Sequence, residues 1–186
     1  RRAIPHGCRG QDPRKDPDSS FIYVDVSSIS NHSFSIIDTN RVMGKDAPSR
    51  ARKLIQRDDV IFATVRPTLK RVALVTKEFH GQICSTGFCV LRANKDLLDP
   101  NFLYYYLLTE GVTDRVDGLQ KGATYPAISD SDLFNQTILL PPLPEQRAIA
   151  RALRAVQGAR EARLREVALE RERKAPLMEH LFTKGT

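Results

Sequence analysis

Apolar residues in the first 140 positions gather into short β-prone runs separated by polar turns. Residues 21–26 (FIYVDV) end in a polar turn at 27–33, 60–65 (VIFATV) and 72–76 (VALVT) flank the polar tip RPTLKR at 66–71, and 87–92 (GFCVLR) supplies another apolar run. Rich in β-branched and aromatic side chains and bounded by turn residues, these segments predict strands. The pattern then turns helical. Asp99 has the chemistry of an N-cap, Pro100 suits the first helical position, and NFLYYYLLTE continues an amphipathic helix through Glu110. A polar stretch carries GATYP at 122–126, Ser129 is placed to cap a further helical turn, and 136–140 predicts one more strand.

At 141–153 (PPLPEQRAIARAL) the periodicity changes again. Pro144 fits a first helical turn and Glu145 the positive end of the helix dipole. From there to Lys174 the chain is dominated by Ala, Arg, Glu and Leu, with Gly158 as the interruption. At about 1.5 Å per residue this predicts a rod of roughly 45 Å. Ile149, Leu153, Val156, Leu164, Val167 and Met178 form a thin apolar seam whose register Arg160 and Arg163 break. So narrow a seam needs a partner helix to be stable in water. Pro176 is expected to kink or end the rod, leaving 177–182 as a short apolar tail. The expected class is therefore α+β: a mixed αβ domain over 1–143, then a long helix over 144–186 that pairs with another.

Composition narrows the function. With 186 residues, 41% apolar and 27% charged, the chain is globular. A net charge of +7 points to a polyanionic partner, and the charge is local. Residues 41–77 hold 10 Lys and Arg against 3 Asp and Glu, whereas 78–144 hold 4 against 8. The plain alternative for such a block is a solvated face. Cys8, Cys84 and Cys89 form no CxxC motif, and the last two sit in apolar strand-like runs, so they read as small buried hydrophobes in a reducing cytosol. His6, His32, His80 and His180 do not pair with them at zinc-ligand spacing, and no metal site is expected. No apolar run is long enough for a membrane span and no signal-peptide pattern occurs, so neither membrane nor secretion is indicated. The first residue is Arg rather than Met, which points to processing, trimming or a fragment.

The sequence contains no GxGxxG, P-loop, GxSxG or HExxH motif and no Asn-Pro-Pro-aromatic run. Carboxylates that a metal-dependent nuclease would cluster lie far apart, at Asp18 and Glu172. Asp58 and Asp59, being adjacent, point to opposite faces of a strand and suit a turn. No catalytic residue is therefore assigned. What the residues do suit is DNA: Lys45, Arg50, Arg52, Lys53, Arg57, Arg66, Lys70, Arg71 and Lys121 as phosphate or guanine partners, with Ser49, Thr64, Thr68, Ser85, Thr86, Thr124 and Tyr125 as short hydrogen-bonding groups in or beside loops. For Arg66 the competing role is an ion pair with Asp58 or Asp59, and for Tyr125 a packed turn aromatic. Tyr104, Tyr105 and Tyr106, beside Leu103 and Leu107, suit core packing better than base stacking.

Five segments in order carry a family resemblance: DPRKDPDSSFIYVDVSSIS, GKDAPSRARKLIQRDDVIFATVRPTLKRVALV, GQICSTGFCVLR, LQKGATYPAISDSDLFNQ and PPLPEQRAIA. From about Asp12 onward the chain resembles the specificity subunits of prokaryotic type I restriction-modification systems. The resemblance implies a target recognition domain reading one half of a bipartite double-stranded DNA site, and a spacer helix pairing antiparallel with a second one. It implies no catalysis and no cofactor in this chain: S-adenosylmethionine would sit on methyltransferase subunits, and ATP and Mg on a restriction and translocation subunit. One recognition domain and one helix are present where the family has two of each, and EHLFTKGT at 179–186 looks like the connection after a first helix. That leaves the first half of a longer subunit or a natural half-subunit that dimerises. Two other classes stay open, a recognition domain of a fused restriction-methylation enzyme and a helix-mediated protein adaptor.

Overall fold

The computed structural model describes residues 3–5, 7–122 and 124–183, without the side chains of residues 177, 180 and 181. His6, the side chain of His180 and parts of the expected apolar tail and of the 179–186 connection thus lie outside the described residues. Seven strands form two sheets: β1 (Ser20–Val24), β2 (Asn40–Met43), β3 (Ala51–Leu54), β4 (Val60–Ala63), β5 (Val72–Leu74), β6 (Ile83–Ser85) and β7 (Phe88–Leu91). The four-stranded sheet has the order β2-β1-β6-β3, with β1 and β6 parallel and both edge strands antiparallel to their neighbours. The three-stranded sheet, β5-β4-β7, is antiparallel.

Val24 and Cys84 of the first sheet share one apolar cluster with Ile61, Ala63, Ala73, Phe88 and Val90 of the second. The opposite face of the first sheet buries Phe21, Ile83, Ala47 and Ala51 in a smaller cluster. Both faces of β6 are thus covered, and its three residues, Ile83, Cys84 and Ser85, are all buried. Burial pushes the thiols of Cys84 and Cys89 well above the usual range, so they pack as small hydrophobes, as their sequence context indicates.

Helix α1 (Pro100–Leu107) packs on β4 and β5. Its cap is as the sequence predicts, with an Asp99 carboxylate oxygen accepting from the amides of Asn101 (2.9 Å) and Phe102 (3.1 Å). Helix α2 (Glu110–Asp117) follows at once, burying Val112 and Val116 at i, i+4 spacing. Helix α3 (Asp130–Phe134) is closed by a Ser129–Asp132 capping box. Helix α4 runs from Leu143 to Thr183.

Two expectations need correction, and two segments without a predicted element acquire one. No strand forms at 136–140: the segment has no ladder partner among the described residues, Leu139 is 87% exposed, and the Tyr106 hydroxyl donates to the Thr137 carbonyl instead. Of the two effects expected of Pro176, a kink or an end, the end is not realised, because the helix continues through seven further residues to Thr183. Strands β2 and β3 lie within the basic stretch and carry no strand signal in the sequence: β2 forms one edge of the sheet, while the outer side of β3 is bonded to residues 9–11, with Gly10 bridging Lys53 and the Gln11 amide donating to the Arg52 carbonyl at 2.9 Å. Residues 111–117, to which the sequence pattern assigns no element, all belong to helix α2.

The chain divides into two compact units, 1–148 and 149–186. The first turn of α4 therefore belongs to the mixed domain. Gln146, wholly buried, holds it there: its amide nitrogen donates to the carbonyls of Leu97 (3.0 Å) and Pro141 (2.8 Å), and its oxygen accepts from the Asp99 amide (2.9 Å). In the second unit Ile149, Leu153, Val156, Leu164 and Val167 are 37–66% exposed.

Candidate nucleic-acid interface

Strand register decides which loops share a surface. Strands β1 and β6 run parallel and end together at Val24 and Cys84–Ser85. Strand β3 runs the other way, Ala51 opposite Ser85, so Arg50 stands at that same end, where its carbonyl accepts from the Thr86 amide at 2.8 Å. In the second sheet β4 finishes at Ala63 opposite Phe88, and β5 begins at Val72 opposite Phe62. The tight turn between β6 and β7 joins the two ends: the Gly87 carbonyl accepts from both the amide (2.9 Å) and the hydroxyl (3.1 Å) of Thr64.

Residues 121–128 close over this end. Lys121 and Ala127 exchange backbone hydrogen bonds at 2.9 and 3.0 Å, the Arg66 amide donates to the Pro126 carbonyl at 2.8 Å, and the Ile128 amide donates to the Thr64 carbonyl at 2.9 Å. Gly122, at φ +90, makes the turn that a side chain would resist. The loops at 49–50, 64–71, 85–87 and 121–128 therefore converge, held by main-chain bonds. Such loops on a rigid scaffold are where recognition is built.

The candidate residues separate into two groups. Arg52 bonds the Ala51 carbonyl at 2.8 Å and pairs with Asp12. Lys53 donates to the Phe88 carbonyl and to Asp130, both at 2.6 Å, which ties α3 to β3. Lys70 pairs with Glu110 at the start of α2. Arg71 donates to the carbonyls of Val26 (3.0 Å) and Ile29 (2.9 Å), fixing the turn after β1. These four hold the loops in place. Arg50, Arg66 and Lys121 are exposed and make no ion pair among the described residues, with Ser49, Thr124 and Tyr125 exposed and Thr68 half-buried beside them. The competing role for Arg66 is not realised, since Asp58 pairs with Arg57 and Lys95 and Asp59 with Arg92.

The basic stretch is not one face. Lys45 follows Met43, opposite Ser20 where β1 begins, and Arg57 precedes β4, so both lie at the far end from Arg50 and Arg66. Lys121, a candidate from the sequence, joins this end from 50 residues beyond Arg71, whereas the left-handed backbone of Arg66 (φ 48) and Lys70 (φ 51) on either side of the 67–69 turn carries no sequence signal. That conformation costs a non-glycine residue about 1–2 kcal/mol.

Residues 20–168 match the family model described as the type I restriction modification DNA specificity domain. The chain belongs to this family. Among curated specificity subunits it is 34% identical over 97 residues to the putative MjaX specificity subunit of Methanocaldococcus jannaschii, covering 52% of this chain and 22% of that one. With the HindI specificity subunit of Haemophilus influenzae it shares 23% over 130 residues, 69% of this chain and 28% of that one. Among solved structures it is similar to the HsdS subunit from Thermoanaerobacter tengcongensis, with a TM-score of 0.80 at 40% identity over 94% of this chain and 45% of that one. A second chain, from a study of complex assembly and conformational transition in the type I R-M system, gives 0.81 at 39% identity, covering 97% and 47%. This specificity-family chain thus spans less than half the length of these relatives. No described helix is long and apolar enough to cross a membrane.

Proposed function

We propose that this chain is a type I specificity module that binds duplex DNA through the 49–50, 64–71, 85–87 and 121–128 loops and reads one half of a bipartite site. One observation carries the reading: four loops meet at one end of both sheets, and the cations left without internal ion pairs among the described residues there, Arg50, Arg66 and Lys121, are exposed. Counterion release at phosphates makes such binding fall steeply with salt. Replacing Arg50 or Lys121 with Ala should weaken binding to random-sequence duplex and lower the slope of log K against log salt by about 0.9 for each phosphate no longer neutralised. An unchanged slope with both removed would overturn the assignment. Methyl transfer and cleavage belong, on this reading, to partner subunits holding S-adenosylmethionine, ATP and Mg, in the cytoplasm.

The second unit supports a spacer role. Its apolar residues from Ile149 to Val167 remain exposed along one helix, which favours pairing with a second helix of the same kind, in the other half of a subunit or another copy. Inserting four residues at Gly158 should lengthen the rod by about 6 Å. That is close to two base pairs at about 3.4 Å each. The methylated sites should then show the same half-sites separated by one or two more base pairs. Changed half-sites with unchanged spacing would show that the helix does not set the distance.

A further inference from the structure

Within the loop cluster, Arg66 and Tyr125 are both exposed and also organised against each other. The Arg66 guanidinium carbon stands 5.9 Å from the centre of the Tyr125 ring, within cation–π range, and Tyr125 is 72% exposed. Main-chain contacts tie the two residues' backbones together: the Arg66 amide bonds the Pro126 carbonyl, and Val65 bridges Ala127. Arg66 keeps φ at 48 although its β-carbon disfavours that region, and strain retained at a loop tip is a mark of function.

Resting on the reading that this loop cluster meets DNA, the geometry points to Arg66 as a residue that reads guanine in the major groove, and to Tyr125 as the residue that positions it. A phosphate can be held by lysine as a point charge or by the arginine fork, in whatever direction the side chain swings. A guanidinium held against a ring instead offers a planar fork of N–H donors in a defined direction, and that fork matches the paired O6 and N7 acceptors of guanine. The neighbouring cations of the turn are engaged elsewhere, Lys70 with Glu110 and Arg71 with the carbonyls of Val26 and Ile29.

The test is selection and sequencing of duplexes with randomised positions by the full chain, with thermal unfolding of every variant as the control for folding. Arg66→Gly suits the left-handed backbone and removes the fork, while Arg66→Lys keeps the charge. Both should lose guanine preference at one base pair by about tenfold to a hundredfold and leave the rest of the motif unchanged. Tyr125→Ala should relax that same base pair, Tyr125→Phe should retain it, and Tyr125→Ala added to Arg66→Gly should change nothing further. A motif unaltered in Arg66→Lys, or a different base pair relaxed by Tyr125→Ala, would overturn this inference while leaving DNA recognition intact. An unmodified chain that enriches no sequence would overturn both.

Discussion

Replacing Asp59 with alanine should destabilise the mixed domain by about 3–5 kcal/mol, the range for breaking a buried ion pair from one side. Asp59 is 1% exposed. Its carboxylate accepts from Nε and Nη2 of Arg92 at 2.8 and 2.7 Å and from the Gln56 amide at 2.8 Å. That partnership also raises the affinity of Arg92 for its proton. The fork crosses from the residue before β4 to the residue after β7, so it clamps adjacent strands of the three-stranded sheet at the end away from the 64–71 and 85–87 loops. Removing the carboxylate strands a partly buried guanidinium and a backbone amide together. Urea unfolding should show a lower midpoint at an unchanged slope. Replacing Asp59 and Arg92 together with leucine should recover most of the loss, because no unpaired charge is then left inside. Equal losses from the single and double changes would show that packing rather than charge holds the site.

The second large effect is expected at Gln146. Its amide satisfies two carbonyls and one N–H in a site closed to water. Each group orphaned by Gln146→Leu costs about 1–3 kcal/mol, so a total above about 3 kcal/mol follows. Gln146→Glu should be no milder, since a carboxylate offers the Leu97 and Pro141 carbonyls no donor and sets charge against them. The measurement is again equilibrium unfolding, followed by amide exchange at Asp99, whose protection should fall most. An unfolding midpoint in Gln146→Leu matching the parent would refute the anchoring role.

Local chemistry wrote much of the fold legibly. Asp99 and Ser129 cap helices because short polar side chains reach the free amides of a first turn wherever they precede it. The runs around Val60, Val72 and Phe88 are strands because both their faces are covered, which leaves them uninterrupted apolar sequence. The long helix announces itself in composition, and the family resemblance carried by five ordered segments agrees with the match over residues 20–168. Strands β2 and β3 were illegible for the converse reason: their sequences, NRVM and ARKL, mix Arg and Lys with apolar residues and read as a charged loop.

The proposed binding surface belonged to tertiary structure. By itself the sequence determined that residues 41–77 are strongly basic, that 66–71 is a polar tip and that 122–126 is a turn. It did not distinguish Arg50 and Arg66, exposed, from Arg52, Lys53 and Arg71, which bond the domain's own carbonyls and carboxylates. That difference depends on which groups lie within about 3 Å of a side chain, the range of a hydrogen bond. Partners 77 residues apart, such as Lys53 and Asp130, meet only when the register of β3 against β6 and the position of α3 are set. Whether a cation remains available to DNA is therefore decided by its neighbours in space, and no spacing along the chain encodes them.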